Sequence, residues 1–344
     1  MVNRREFLSY LALTLMGAGM PAVLSGCSDS PQQSEAAPFD ENDESTPTSL
    51  VTFLYDTVIE IQAYCPQELL DKVEDRLVFF ENIFSRTVSS SDIDLINHAA
   101  GEPVFVHPET IDVITQAIGY SELSGGLFDI TIGSVVDLWD FKNETIPEPA
   151  ALEQALKHVN YRTIELGDET VTLLDPAAKL DLGGIAKGYI TDDIARLLRE
   201  GGCESALINL GGNTYALGSR PNGNPWHVGL QDPNQPRGTV FGSVDVCDKS
   251  IIASGINERS FTKNGVSYHH LINPTTGMPL QNGVASTTII SDRSTDGDAF
   301  STITFLMGLA KGLDVAKQYG GLDVLYIDTD GNTIASEEMR YESL

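Results

Sequence analysis

A short stretch in the middle of the chain, KLDLGGIAKG at residues 179–188, places a carboxylate, two adjacent glycines and a second lysine close together. Adjacent glycines let a backbone approach a phosphate, and a helix that begins after them presents free N–H groups to an anion. Lys187 would lie in the first helical turn, where a cation is unfavourable unless a negative ligand faces it. The spacing differs from the G-x-x-x-x-G-K-[ST] phosphate loop, so a plain strand-to-helix turn is the alternative interpretation.

A second candidate site is TDGDAFST at residues 295–302. Asp298 and Thr302 are four residues apart, so a helix would place both on one face. A carboxylate and a hydroxyl, together with water and phosphate oxygens, suit Mg²⁺, which prefers oxygen ligands. The alternative is an acidic residue that interacts with the dipole of a helix start, with Thr302 in the core.

A histidine pair occurs in YHHLINPTTG at residues 268–277. His270 is a candidate general base because a histidine side chain titrates near neutral pH. Successive side chains of a strand point to opposite faces, so we expect only one of His269 and His270 to serve.

A fourth motif, SGGLFDITIG at residues 124–133, offers an aromatic ring and two polar side chains. Phe128 could stack on a flat ring, and Asp129 and Thr131 could hydrogen-bond to it. A packed loop in which Asp129 caps the backbone is the alternative.

The secondary structure predicted around these motifs mixes strands and helices without a regular β-α-β alternation, which favours the α+β class. Helices are predicted at 66–84, 111–124, 148–159, 185–200 and 296–309. Strands are predicted at 51–64, 163–174 (as a hairpin), 178–182, 205–210, 214–218, 226–230, 242–245, 250–253, 270–272, 285–290 and 324–327.

The N-terminal residues read as an export signal. Arg4 and Arg5 precede an apolar run at residues 8–23, and the run ends in small residues before Cys27. This order is typical of a bacterial lipoprotein signal, in which the cysteine is lipidated. The RREFL segment also resembles a twin-arginine export signal. We therefore predict a signal peptide over residues 1–27 and a lipid-anchored protein on the extracytoplasmic face of the bacterial membrane; an ordinary secretory signal or a buried helix is the alternative.

Charge and composition define the rest of the chain. Residues 28–50 contain no Lys or Arg and are rich in acidic residues, Pro and Ser, which predicts a flexible linker. Residues 51–344 are then left for one domain or two interlocked lobes. The formal net charge of −28 argues against nucleic-acid binding and against a polybasic membrane contact.

Besides Cys27, the chain contains Cys65, Cys203 and Cys247 at wide spacing. This pattern is neither a disulfide framework nor a zinc site. We predict structural thiols, and one disulfide with one free thiol is the alternative.

Taken in order, these motifs resemble the ApbE family, the FAD:protein FMN transferases, from Asp56 to about Tyr326. The resemblance implies an α+β fold with mixed or antiparallel sheets and two interlocked lobes, with FAD bound between them. The segments that carry it are 84–85, 91–93 with Asn97, 126–129, 138–139, 181–188, 209–213, 226–230 with 232–233, 254–255 with 258–259, 270–277 and 298–302.

The resemblance also implies roles for individual residues. The glycine backbone and Lys187 would hold the FAD pyrophosphate, and the Ala186 carbonyl would join Asp298 and Thr302 in binding Mg²⁺. The implied FAD-binding residues are Tyr55, Asp56, Phe128, Asp129, Thr131, Gly183, Gly184, Lys187, Gly255 and His270.

The implied reaction is Mg²⁺-dependent transfer of FMN from FAD to a Thr or Ser hydroxyl of a partner protein, with release of AMP. His270 would act as the base, Lys187 would neutralise phosphate charge and Asp181 would organise the site. The implied partners are subunits of Rnf- or Nqr-type redox complexes or secreted flavin reductases. Two alternatives stay open: a Mg²⁺-dependent FAD pyrophosphatase that forms FMN and AMP, and a non-catalytic FAD-binding lipoprotein.

Some positions depart from the family pattern. Residues 256–257 are Ile-Asn, where a small residue and an aromatic are usual before Glu-Arg, and Asn273 and Gln231 replace a usual Asp and a frequent Arg. These departures bear on the balance between FMN transfer and plain FAD hydrolysis.

Overall fold

The structure, a computed structural model, describes residues 46–236 and 238–344. The predictions of a signal peptide, of Cys27 lipidation and of most of the 28–50 linker lie outside the described residues. Residues 47–344 pack as one unit, and the first strand begins at Thr48, inside the segment predicted as linker. No helix in the described ranges is both long and apolar enough to cross a membrane.

The described residues form α-helices and β-strands in an irregular order. The helices are α1 (Gln67–Phe84), α2 (Asp92–His98), α3 (Pro108–Leu123), α4 (Gly133–Val136), α5 (Pro149–Leu156), α6 (Ala186–Glu200), α7 (Ser294–Met307) and α8 (Leu309–Tyr319). The strands are β1 (Thr48–Leu54), β2 (Thr57–Ala63), β3 (Val104–Phe105), β4 (Ile164–Leu166), β5 (Thr170–Leu173), β6 (Ala206–Leu210), β7 (Asn213–Leu217), β8 (Trp226–Gln231), β9 (Val240–Val246), β10 (Lys249–Gly255), β11 (Ser260–Lys263), β12 (Val266–His269), β13 (Val284–Ser291), β14 (Leu322–Asp328), β15 (Thr333–Ala335) and β16 (Glu342–Ser343).

The main sheet has eight antiparallel strands in the order β1-β2-β6-β7-β10-β13-β14-β15. Neighbouring residues of its strands alternate between two cores, because successive side chains of a strand point to opposite faces. Ile289 of β13 belongs to the large core with side chains of α1, α6 and α7, whereas its neighbour Ile290 belongs to a second core with Trp226 and Leu230 of the β16-β9-β8 sheet. Helices therefore cover one face and a small sheet covers the other, which confirms the predicted α+β class.

The predicted single strand at 51–64 is wrong, since the segment is a hairpin. Leu54 pairs with Thr57, and Tyr55 and Asp56 form a two-residue turn with positive φ angles of 55° and 57°. Such turns usually contain Asn or Gly, so Tyr-Asp gave no turn signal in the sequence. The Tyr55 backbone N–H donates to Glu81 Oε1 at 3.0 Å, and its hydroxyl donates to the Leu77 carbonyl at 2.5 Å, which fixes the turn on α1.

The five predicted helices are confirmed, although their ends shift by up to three residues. The predicted strands at 178–182 and 270–272 are wrong, because each segment forms only an isolated bridge, Ile132 with Lys179 and Ile272 with Pro279. Sequence reasoning missed α2, the hairpin β11–β12 and α8, which begins directly after Gly308 ends α7.

Candidate active site

A cavity of about 1280 Å³ lies where the loop before α6, the start of α6, α7 and the β1–β2 turn meet. Pockets for drug-sized ligands usually occupy about 300–1,000 Å³, so this cavity has room for a dinucleotide. Its lining contains thirteen of the predicted site residues: Tyr55, Asp56, Phe128, Asp129, Asp181, Gly183, Gly184, Ala186, Lys187, Gly255, His270, Asp298 and Thr302.

The glycine loop before α6 takes its shape from Asp181. The Asp181 N–H donates to the Ile130 carbonyl at 2.7 Å, and its Oδ1 accepts from the Gly183 N–H at 2.7 Å. A Cβ on Gly183 would lie 2.8 Å from that same Oδ1, and a Cβ on Gly184 would lie 3.0 Å from Phe128 Cε2. A larger residue at either position would therefore displace the carboxylate or the ring. With glycine at both positions, the backbone of the loop stays accessible to a ligand.

Arg86 holds the other oxygen of Asp181 and was missed by sequence reasoning. Its Nη1 donates to Asp181 Oδ2 at 2.7 Å, while Nη2 donates to the Gly133 carbonyl at 3.3 Å and pairs with the Asp137 carboxylate. The only available signal was its position after the motif at residues 84–85. Arg86 thus ties the glycine loop to the start of α4.

Helices α6 and α7 touch at Gly188, and this contact orients Asp298. A Cβ on Gly188 would lie 2.4 Å from the Ser294 carbonyl oxygen, so only glycine permits the approach. The Gly188 N–H donates to Asp298 Oδ2 at 2.8 Å. Asp298 is 4% exposed, and within the described ranges its Oδ1 has no hydrogen-bond partner.

Thr302 lies one helical turn after Asp298 and also lines the cavity. A Cβ on Gly184 would lie 3.6 Å from Thr302 Oγ1, so the hydroxyl is next to the glycine loop. The hydroxyl makes no hydrogen bond to another described residue. Two neighbouring oxygens, from Asp298 and Thr302, are therefore available to a ligand.

Lys187 projects from the first turn of α6 at the cavity. Its ammonium group has no ion-pair partner among the residues that the structure describes. A cation at this end of a helix is unfavourable without a negative partner, so the cavity is suited to an anion.

The two histidines have different surroundings. His270 lines the cavity, and its Nδ1 is buried without a hydrogen-bond partner in the described part of the chain. Burial, helped by the positive charges of Arg259 and Lys187, lowers the pKa of His270 to about 3, so the free site holds a neutral imidazole. His269 is buried instead, where its Nε2 donates to the Leu280 carbonyl at 3.0 Å.

Hydrogen bonds of Asp129 fix the conformation of the loop that carries Phe128. Asp129 Oδ1 accepts from the Thr131 N–H at 2.8 Å and from the Thr131 hydroxyl at 2.6 Å, and Oδ2 accepts from the Tyr161 N–H at 2.9 Å. Burial nevertheless raises the pKa of Asp129. Thr131 is fully buried and lies outside the cavity lining. Both oxygens of Asp129 are thus already used by the protein.

The loop after β10 also lines the cavity. A Cβ on Gly255 would lie 3.0 Å from Asn257 Oδ1, and Asn257 Nδ2 donates to the Pro233 carbonyl. Asn257 lines the cavity in place of the aromatic residue that the resemblance would have led us to expect nearby. This amide links the β10 loop to the connection between β8 and β9.

An α+β fold with a dinucleotide-sized cavity, a glycine loop, an unpaired lysine and a buried carboxylate defines a protein built to act on a phosphate-containing ligand. The sequence model of the ApbE family matches residues 55–326, and the chain belongs to the ApbE family. The resemblance inferred from the motifs is therefore confirmed.

Two curated relatives cover most of the chain. The FAD:protein FMN transferase of Treponema pallidum is 35% identical over 285 residues, which are 78% of this chain and 79% of that protein. The FAD:protein FMN transferase of Klebsiella pneumoniae is 33% identical over 279 residues, 80% of this chain and 86% of that protein.

Solved structures share the fold. The ApbE protein of Thermotoga maritima superposes with a TM-score of 0.78 at 30% identity and covers 85% of this chain and 97% of its own. The flavin transferase ApbE of Vibrio cholerae gives a TM-score of 0.73 at 26% identity, with the same coverage of both chains.

Proposed function

We propose that this protein transfers FMN from FAD to a Thr or Ser hydroxyl of a partner protein in a Mg²⁺-dependent reaction that releases AMP. The observation that carries the proposal is the convergence of Lys187, His270 and the Asp298–Thr302 pair on one cavity beside the glycine loop. The names of the curated relatives supply the reaction, FMN transfer from FAD to protein.

The residues present fit Mg²⁺. The unpartnered Asp298 oxygen and the Thr302 hydroxyl are hard oxygen ligands, and Ala186, whose carbonyl the family resemblance implies as a third ligand, also lines the cavity. The described residues contain no cluster of three or more His, Cys, Asp or Glu that could hold a metal, so phosphate oxygens and water would complete the shell. Bound there, Mg²⁺ would neutralise the charge of the pyrophosphate.

Lys187 and the glycine loop would bind the pyrophosphate. The ammonium group supplies positive charge, and Gly183 and Gly184 leave room for the phosphate oxygens. Phe128 packs against the loop and closes one wall of the cavity, which keeps water from that side. The scissile bond would thus be held at a fixed position relative to His270.

His270 would accept the proton of the attacking hydroxyl. The hydroxyl oxygen forms a bond to the phosphorus on the FMN side, the bond from that phosphorus to the AMP oxygen breaks, and AMP leaves. Burial is the main cause of the low pKa of His270, and the positive charges of Arg259 and Lys187 add to it. The bound pyrophosphate would offset those positive charges, because a nearby negative charge favours the protonated imidazole.

The direct test uses the purified protein, FAD, Mg²⁺ and a candidate acceptor domain from an Rnf- or Nqr-type complex or a secreted flavin reductase. We expect in-gel flavin fluorescence on the acceptor and stoichiometric AMP, both lost when the acceptor threonine is replaced by valine. AMP with free FMN and an unlabelled acceptor would support the pyrophosphatase instead. Bound FAD without AMP would leave only a flavin-binding protein.

We further propose that the protein works on the extracytoplasmic face of the membrane, anchored by lipid on Cys27. The support is the order of basic, apolar and small residues before that cysteine. Fractionation of cells that express the protein or its Cys27→Ala variant tests this. The parent should sediment with membranes, and equal distribution of both would contradict the anchor.

A further inference from the structure

Two cysteines follow the same end of the β2–β6 strand pair. Ala63 pairs with Ala206 at this end, and the Tyr64 N–H donates to the Ser205 carbonyl at 2.9 Å, which extends the ladder by one residue. Continuing this antiparallel register puts Cys65 opposite residue 204, one residue away from Cys203. Both cysteines lie beyond the strand ends at Ala63 and Ala206, so strand alternation does not place their side chains on opposite faces. The chain thus brings together two thiols that are far apart in the sequence.

The contacts of the two residues agree with this register. Cys203 Sγ lies 4.0 Å from the Tyr64 carbonyl oxygen, which belongs to the peptide bond that leads into Cys65. The Thr48 hydroxyl donates to the Cys65 carbonyl at 2.7 Å and holds that residue against β1. Cys203 is only 2% exposed, whereas Cys65 is partly exposed and open to a reagent.

The thiols also differ in acidity. A hydrogen bond between them, with burial, raises the pKa of Cys65, and the same hydrogen bond lowers the pKa of Cys203 to about 7. Of the two sulfurs, Cys203 is the more readily ionised. Because the thiolate is the nucleophile in disulfide exchange, Cys203 is suited to the second step, in which it attacks a mixed disulfide on the accessible Cys65.

We propose that Cys65 and Cys203 form a structural disulfide when the protein meets a disulfide oxidant, and that Cys247 stays reduced. A mixed disulfide first forms on the accessible Cys65, with one thiol of the oxidant released. The Cys203 thiolate then attacks the Cys65 sulfur and displaces the second thiol. Two protein thiols and one external disulfide thus become one protein disulfide and two external thiols.

The bond would fix the end of α6 that is remote from the cavity. This helix has 15 residues, so its two ends are roughly 22 Å apart. Lys187 lies in its first turn, and Cys203 follows the Gly201-Gly202 turn after its last residue. The disulfide would close a long loop, residues 65–203, so we expect a gain in stability. Because the bond lies at the end of α6 that is remote from the cavity, we expect little change in FMN transfer.

The test treats the purified protein with oxidised glutathione, unfolds it in the presence of an alkylating reagent and maps the peptides without reduction. The expected result is one cross-linked peptide that joins Cys65 to Cys203 and an alkylated Cys247. The melting temperature should rise by roughly 10 °C relative to the reduced protein. The Cys247→Ser variant should behave as the parent, and the Cys65→Ser and Cys203→Ser variants should show neither the cross-link nor the rise.

Full alkylation of Cys65 and Cys203 after oxidation, or a cross-link that involves Cys247, would overturn the proposal. The in vitro assay does not depend on the proposed export or on the proposed transferase activity. A second assay, alkylation of cells before lysis, asks whether the disulfide forms in an oxidising compartment, where such bonds persist. A cross-link in vitro that is missing in cells would contradict export of the chain and leave the thiol pairing intact.

Discussion

The glycine loop and the start of α7 each bring one carboxylate to the same cavity, but they use it differently. Both oxygens of Asp181 are bound by the protein, one by the Gly183 N–H and the other by Arg86. Asp298 is more deeply placed, yet only one of its oxygens has a partner among the described residues, the Gly188 N–H. Asp181 therefore shapes the site, and Asp298 is kept available for a ligand.

This arrangement has an energetic consequence. The charge of Asp298 is left for a ligand, so its loss should affect catalysis more than folding. The charge of Asp181 is compensated within the protein, and removing its partner Arg86 would leave that charge uncompensated, which should affect folding. Substitution of Asp298 should therefore lower activity, whereas disruption of the Asp181–Arg86 pair should lower stability.

The largest effect is expected for Asp298→Asn. The amide oxygen can still accept from the Gly188 N–H, so the melting temperature of the ligand-free protein should be unchanged or higher. AMP release should fall about 100- to 1,000-fold, because the charge proposed to hold Mg²⁺ would be lost. Asp314→Asn, at an exposed position of α8, is the matched control. A destabilised but active Asp298→Asn protein would reverse the comparison.

The histidine pair should give the next largest effect. His270→Gln should lower the rate of FMN transfer about 100-fold or more while FAD affinity stays the same, because only proton transfer is lost. His269→Gln should lower the melting temperature and leave the rate of the folded protein intact, since His269 is bonded to the Leu280 carbonyl. Transfer assays sampled over time measure the rate of each variant, and FAD titrations measure its affinity for FAD. Unchanged FMN transfer by the His270→Gln variant would show that His270 is not the base.

Lys187→Met should weaken FAD binding about 10- to 100-fold, the range expected for loss of one charge-assisted hydrogen bond. Calorimetric titration with FAD measures this, and Lys317→Met, on the exposed end of α8, is the control. Equal affinity for both variants would show that the pyrophosphate is bound elsewhere.

Arg86→Met should lower the free energy of unfolding by about 1–3 kcal/mol, because it leaves the Asp181 carboxylate without a cation. Asp137→Asn removes the more exposed partner of Arg86 and should cost less. Denaturant titration of both variants tests the order. If Asp137→Asn were the more destabilising change, Arg86 would serve α4 and not the glycine loop.

The smallest effect concerns pH. The pKa of His270 is lowered from 6.5 to about 3 in the folded protein, so between these values the unfolded chain binds the proton and the folded protein does not. The free energy of unfolding should therefore fall as the pH decreases from about 7 to about 5. His270→Gln should show a shallower decrease. Parallel curves for the two proteins would contradict the burial of a neutral imidazole.

Much of the site was predictable because its parts have local signals. Two glycines before a helix identified the loop at Asp181, and i and i+4 spacing identified Asp298 with Thr302. Only one of the two adjacent histidines lines the cavity, as predicted, although β12 ends at His269 and the predicted strand at 270–272 is absent from the described residues. These signals depend only on neighbours in the chain. The predicted roles in FAD and Mg²⁺ binding stay predictions.

Contacts between distant segments had no such signal. Arg86 meets Asp181 only after α1 and the loop before α6 pack together. The Tyr55-Asp56 turn lacks the glycine or asparagine that marks most hairpins, so two strands were read as one. Thr131 was predicted at the ligand, but the structure buries it against Asp129, because hydrogen bonds within the loop satisfy both side chains.

The most direct test of FMN transfer is a reaction run in heavy-oxygen water with FAD, Mg²⁺ and the acceptor domain, followed by mass analysis of every product. Attack by the acceptor hydroxyl on the FMN phosphorus predicts equal amounts of AMP and FMN-bearing acceptor, with no solvent oxygen in either. Free FMN that carries one solvent oxygen would contradict the account, since water would then be the acceptor.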